Sequence, residues 1–253
     1  MVLSVPDGVH RRGIGHDTTA VLVEATGCWT WLDLDTRRIW DAAQNGQLAR
    51  LVDELCVLGY QRDQVEDAVS QTVDRLTGEG MLTAQHHAVK PGRRSGGTVP
   101  GPGAGWTRPI PPRNARPPLY IRAVAMVGLA VSLAALRLPL RHLLRALAPL
   151  RHLPAARGAH AELLYRAVVE ARPAWWPGRI ACMEVSLATV LGAALCGRRV
   201  HWVLGARPLP NEAHAWVSVE GGGALGLDGP DQNNPVRPWV PVITTPPPIQ
   251  VKR

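Results

Sequence analysis

Cys182-Met-Glu-Val-Ser-Leu-Ala-Thr-Val-Leu-Gly-Ala-Ala-Leu195 is followed by Arg199-Val-His-Trp-Val-Leu-Gly-Ala206 and then by Glu212-Ala-His-Ala-Trp-Val-Ser-Val-Glu220. The first stretch is apolar nearly all round, so its period predicts a central buried helix over 181–195 rather than an amphipathic surface one. The other two are short, β-branched and aromatic, and a Pro/Asn-rich turn parts them, so they read as two strands. Cys182 falls in the first turn of the helix. His214 falls on the second strand, with Trp216 and Ser218 on its face at the two-residue period.

That placement is chemically pointed. The thiolate, not the thiol, attacks a carbonyl, and the unpaired N–H groups and positive dipole end of a helix start favour the anion. An imidazole nearby serves as its base, and a third group should fix the imidazole tautomer. Asp228, on the strand 224–228 after the Gly221-Gly222-Gly223 turn, is the first choice, and Asp231 the second. The N–H of Cys182 is the natural first donor of an oxyanion hole. Cys28, Cys56 and Cys196 read as small buried hydrophobes. His201 and the pair His86-His87 have no ligand spacing, so no metal site is expected. Ser186 sits inside the helix without a nucleophile elbow, which argues against a serine hydrolase.

Working outward, 119–150 is an Ala/Leu-rich helical stretch broken at Pro139 and Pro149, and 159–171 is another helical period. The uncharged run from Ala123 to Leu136 is fourteen residues, short of the roughly 18 to 20 that span a bilayer. It reads as a buried helix. From Pro91 to Pro118, fourteen of twenty-eight residues are Pro or Gly, a composition that builds no core and behaves as a tether. Residues 1–84 and 119–253 are therefore expected to be separate domains joined by a linker over 85–118.

The two parts differ in charge. Residues 1–84 hold 7 Arg and 13 Asp or Glu, net −6, and the rest of the chain is net +14, giving the overall +8. In the first part, 8–14, 19–24 and 28–34 read as strands, and Asp35 and Asp63 are placed to cap helices over 35–43 and 64–76, with a third over 48–58 between them. A few strands feeding three helices suggest a small winged-helix domain, whose usual partner is DNA. A net −6 surface would be repelled by phosphates. The scattered arginines of the basic part, without aromatic interleaving, read as a solvated surface or as a match for an acidic partner. The cysteine pattern and the charged start predict a cytoplasmic protein.

The phrases "CWTWLDLDTRRIW", "LVDEL" and "RLTGEGML" over residues 5–83 resemble the PqqD-like peptide chaperones and RiPP recognition elements. That resemblance implies a leader peptide added as a strand at a sheet edge and lying on the third helix. The edge would be Cys28, Trp29, Thr30, Trp31, Leu32 and Asp33, and the helix face Val65, Val69, Thr72 and Leu76.

The order Cys, His, Asp is that of transglutaminase-like and papain-like folds. Residues 119–240, with "CMEVSLATVLGAALCGRRVHWVLGARPLPNEAHAWVSVEG" at their centre, are similar to the leader peptidases of lasso-peptide biosynthesis. The resemblance implies an α+β chain: a PqqD-like domain, a Pro/Gly linker and a transglutaminase-like cysteine hydrolase. It implies Cys182 as nucleophile, His214 as base and then acid, and Asp228 as the orienting carboxylate, although the Gly-rich turn before Asp228 is longer than the family pattern. It also implies a precursor leader as substrate and a partner cyclase related to asparagine synthetase. No cofactor is expected in the chain itself, ATP being used by that cyclase. The rival readings are an acyl transferase in which an amine resolves the thioester, and a non-catalytic peptide chaperone or DNA-binding regulator.

Overall fold

A computed structural model describes residues 3–84, 116–171, 181–221, 223–227 and 237–247. The chain divides into two compact units, Met1–Val99 and Pro100–Arg253. The stretch expected to be a linker, 85–118, lies outside the described residues up to residue 115.

In the first unit, β2 (Val9–Gly15), β3 (Thr18–Val23) and β4 (Cys28–Leu32) form an antiparallel sheet in the order β2-β3-β4. A small pair of β1 (Leu3–Ser4) with β5 (Thr83–Ala84) joins the start of the unit to its end. Three helices follow the sheet: α1 (Leu34–Gln44), α2 (Leu48–Val57) and α3 (Arg62–Gly78). The alternation of β3 sends Val21 and Val23 into a core with Leu32, Trp40, Leu76 and Met81. Its other face, Ala20 and Leu22, is also fully buried. Trp31 and Trp29 stand directly across from those two residues on β4, with their rings stacked 6.3 Å apart. Aromatic residues opposite aliphatic ones are among the better cross-strand pairs.

Two helix starts differ from expectation. Asp33, not Asp35, caps α1: its carboxylate accepts from the Thr36 N–H at 2.8 Å. Those hydrogen bonds with Thr36 outweigh the opposing effect of burial, and with the Arg75 charge they hold the Asp33 carboxyl below the usual range. Asp63 sits inside the first turn of α3 behind Gln61, which makes no side-chain cap. There it still complements the helix dipole.

The second unit packs helices against a four-stranded antiparallel sheet. Its helices are α4 (Leu119–Ala135), α5 (Leu140–Leu147), α6 (Gly158–Glu170) and α7 (Cys182–Leu195), with a 3₁₀ turn over Ala148–His152. The breaks fall at Pro139, which precedes α5, and at Pro149 inside the 3₁₀ turn. β6 (His201–Arg207), β7 (Glu212–Ser218), β8 (Ala224–Leu225) and β9 (Val240–Thr245) lie in the order β8-β7-β6-β9. α7 is the buried centre, as its all-round apolar sequence requires. A Cβ on Gly128 of α4 would come within 2.7 Å of the Ala188 carbonyl, so the missing side chain lets α4 lie close against α7. The expectation that 123–136 is a wholly buried helix needs correcting. Ala125 and Leu129 are buried, but Met126, Val127 and Val131 are exposed, because α6 and α7 cover one side of α4. No described helix is long and apolar enough to cross a membrane.

Candidate active site

α7 begins at Cys182, after the extended residue Ala181, whose side chain caps nothing. The N–H groups of the first turn are thus left to other acceptors, and the sulfur of Cys182 takes one from Met183. The turn is tied down from two sides. Ser186 Oγ donates to the Cys182 carbonyl at 2.6 Å and accepts from the indole N–H of Trp202 on β6 at 2.9 Å. Ser132 Oγ, from α4, lies 3.2 Å from the Glu184 carbonyl.

β7 brings the imidazole. It pairs with β6 along its whole length, but β8 pairs with β7 only at Val217 and Ser218. Short of that pairing, the Ala215 N–H donates to the sulfur of Cys182, and the neighbouring His214 ring hydrogen-bonds the same atom. The other ring nitrogen, Nε2, lies 2.8 Å from the carbonyl oxygen of Gly226. A carbonyl only accepts, so Nε2 carries hydrogen and Nδ1 is the nitrogen that serves the sulfur. Two indoles flank the imidazole, Trp239 at 5.1 Å and Trp216 at 6.4 Å between ring centres. Gly205, opposite His214 on β6, makes room for one of them: a Cβ there would sit 2.3 Å from the Trp216 ring and 2.5 Å from the Val240 carbonyl.

The electrostatics of the pair are mutual. Burial pushes the Cys182 thiol up, but the hydrogen bonds from His214, Ala215 and Met183 and the nearby imidazole charge together hold it below the ordinary thiol value. Burial likewise pushes His214 down. Its bonds to Cys182 and Gly226 and the thiolate charge outweigh burial and the Arg207 charge, leaving the imidazole above its ordinary value. Both shifts favour a thiolate–imidazolium pair.

The expected residues divide as follows. Cys182 and His214 are brought together. Asp228 and Asp231 lie outside the described residues. His201 is elsewhere, buried with Nδ1 2.6 Å from the Pro246 carbonyl. In the first unit, β4 pairs only with β3 among the described residues and leaves its outer edge open. Trp29, Thr30 and Trp31 are half-buried there and Cys28 is exposed. Leu32 and Leu76 belong to the core, and Val65 and Val69 are buried with Val52. Thr72 is half-buried and donates to the Ala68 carbonyl. Asp33 is occupied as a helix cap.

Several positioning groups escaped the sequence reading: the carbonyl of Gly226, Ser186 with Trp202, and Trp239 with Arg207. Only Ser186 left a trace, a hydroxyl one turn after the cysteine in a mostly apolar helix.

With this geometry in place, residues 123–240 match the family model of the transglutaminase-like superfamily. The second unit contains a transglutaminase-like domain. Within this transglutaminase-like domain the matched span runs from α4 through the start of β9 and includes both Cys182 and His214. A solved structure described as "TbiB1 in Complex with the TbiA(beta) Leader Peptide" is similar at 24% identity, over 33% of this chain and 99% of that one, with a TM-score of 0.29. No curated protein matches the chain.

Proposed function

We propose that this chain is a leader peptidase of lasso-peptide biosynthesis, its first unit capturing the leader of a precursor peptide and its transglutaminase-like domain hydrolysing the leader–core bond. The observation that carries the catalytic part is the Cys182–His214 hydrogen bond at the start of a buried helix, with both pKa shifts toward the ion pair. The Ala213-His214-Ala215-Trp216-Val217 phrase and the open β4 edge of the first unit support the leader-directed part. An edge strand with free backbone groups accepts an extended peptide through main-chain hydrogen bonds.

In this reading the Cys182 thiolate attacks the carbonyl carbon of the last leader residue. The resulting oxyanion is met by backbone N–H groups at the start of α7. His214, protonated at Nδ1, passes that proton to the departing amine of the core as the C–N bond breaks, leaving a thioester. Water then gives a proton to Nδ1 as it attacks the thioester carbonyl, and the thiolate leaves. The products are a leader carboxylate and a core with a free amino terminus. A tether between the units would make the second step of capture and cutting intramolecular, with an effective concentration on the order of millimolar. A partner cyclase using ATP would then consume the freed amine.

The test is incubation of the full chain and of Cys182→Ala with a synthetic leader–core precursor. The intact protein yields two hydrolysed fragments by mass spectrometry, and Cys182→Ala binds the leader with unchanged affinity but cuts nothing. Processing by the Ala variant overturns the nucleophile assignment. Amine-coupled products instead of a free acid favour an acyl transferase.

A further inference from the structure

We infer that the outer face of α4 and the arginines of α5 form a surface by which this chain lies against an anionic lipid bilayer. The inference is independent of the peptidase reading and of the thiol site.

The first observation is an exposed apolar stripe. α4 buries Ile121, Ala125, Leu129 and Ser132, and Ser132 ties it to the start of α7. Its other side carries Leu119, Tyr120, Met126, Val127 and Val131, all exposed, and Leu138 extends that side into the turn before α5. These six are nearly half of the thirteen exposed large hydrophobic side chains among the described residues, so the exposure is concentrated on one helix rather than scattered. The alanines between them, Ala123, Ala130 and Ala134, are exposed as well. At the helical period these positions fall in one continuous stripe. Concentrated exposure of this kind marks an interaction site.

The second observation is charge. Residues 116–161 hold seven arginines and no Asp or Glu, and all seven are exposed. Arg122 borders the stripe and Arg137 stands at its end. α5 then buries Leu140, Leu143 and Leu147 and leaves Arg141, His142 and Arg145 in solvent. The exposed arginines of the first unit are placed differently: Arg37, Arg38, Arg50, Arg62 and Arg75 each lie within 4.0 Å of a carboxylate. The stretch 116–161 has no carboxylate of its own, so its positive field points to a negative partner.

The chemistry selects the bilayer. Apolar side chains flanked by arginines are the make-up of helices that lie in the interface of an anionic membrane, and Tyr120 at one end suits the headgroup level. A second copy would set arginine against arginine, which opposes association. A protein partner is read through about one hydrogen bond per 100 to 200 Å², and the stripe from Ala123 to Ala134 offers no side-chain N–H or O–H. The contact is peripheral. The 17 residues of α4 reach about 26 Å, short of a hydrocarbon core of roughly 30 Å, and the inner side of the helix is committed to the protein.

The experiment pellets the full-length chain with sucrose-loaded vesicles of phosphatidylcholine, alone or with about one-third phosphatidylglycerol, near 0.1 M salt. The chain is expected to bind the anionic vesicles at least about tenfold more tightly than the neutral ones and to lose most of that binding by about 0.5 M salt. Arg141→Gln with Arg145→Gln weakens binding on the order of tenfold, and Val127→Ser with Val131→Ser does the same by removing apolar contact. Arg50→Gln with Arg62→Gln makes an equal change of net charge in the first unit and stays within about twofold of wild type. Should the serine variant fail to fold, as judged by its melting temperature, the two arginine variants decide. The inference is overturned if the chain stays in the supernatant with anionic vesicles, or if the folded serine variant or the Arg141/Arg145 variant binds like wild type. It is overturned too if the Arg50/Arg62 variant is weakened as much as the Arg141/Arg145 one, which would make net charge the whole cause. A chain that ignores vesicles but elutes as a dimer overturns it in favour of a second copy on this face.

Discussion

Arg207 holds its guanidinium carbon 4.4 Å from the ring centre of Trp239, within the range of a cation–π contact. Trp239 in turn tilts against His214 at 5.1 Å, so a positive charge is fixed one ring beyond the imidazole. After burial, which also disfavours the imidazolium, that charge opposes the bonds to Cys182 and Gly226 that favour it. Replacing Arg207 by Gln should therefore raise the His214 pKa further. The imidazolium would persist to higher pH, and the alkaline limb of the cleavage profile would move up. An unmoved or lowered limb would show that the Arg207 charge does not reach the ring.

The thiolate–imidazolium pair makes a second prediction. The Cys182 pKa is lowered and the His214 pKa raised, so each shift favours the ion pair, and activity should be lost as acid protonates the thiolate and as base deprotonates the imidazolium. At pH 7, Cys182 should out-react the exposed Cys28 toward iodoacetamide, although it is the less accessible thiol. His214→Ala removes both the hydrogen bond and the charge, and should slow alkylation of Cys182 by about tenfold or more at that pH. Peptide-resolved mass spectrometry over a pH series checks both statements.

The meeting of Cys182 and His214 was legible in the sequence because two different periodicities met there. An all-round apolar run can only be a buried helix, and Cys182 heads it; the alternation around His214 can only be a strand in contact with a core. The acceptor beside His214 Nε2 was not legible in the same way, since a backbone carbonyl such as that of Gly226 leaves no side-chain signature. β9 also escaped, because Pro241 stands inside it and proline in a strand argues against one. The exposed side of α4 was misjudged for a physical reason as well: apolar composition predicts burial, but only the residues turned toward α6 and α7 have anything to pack against. In the first unit, Asp33 and Asp35 offered equal capping chemistry two residues apart. The three-dimensional path of the chain after Leu32 chose between them.

Ser186 tests how the cysteine is held. Its hydroxyl is the acceptor for the buried Trp202 indole N–H and the donor to the Cys182 carbonyl. Ser186→Ala leaves that N–H without its partner, at a cost of about 1 to 3 kcal/mol. For a unit of this size the melting temperature should fall by roughly 2 to 12 °C. Loss of the tie to the first turn should also lower kcat with little change in KM. Differential scanning calorimetry together with cleavage kinetics separates the two effects, and a variant with wild-type melting and wild-type kcat would remove Ser186 from the account.

Gly205 tests the wall behind the imidazole. A methyl group at this position meets the Trp216 ring at 2.3 Å and the Val240 carbonyl at 2.5 Å, and the second of these is backbone, which cannot swing aside. Gly205→Ala must therefore either displace Trp216 or part β6 from β9 at the irregular pairing next to Leu204. Overpacking of this kind costs about 1 to 3 kcal/mol, and either displacement disturbs the ring that flanks His214. The control is Gly13→Ala in the first unit, where a Cβ meets nothing within 4 Å. That substitution should leave the melting temperature and Cys182 alkylation unchanged, while Gly205→Ala lowers both. If Gly205→Ala melts and reacts like wild type, β6 and the Trp216 ring do not meet as closely as described, and the wall that holds His214 must be built from other residues.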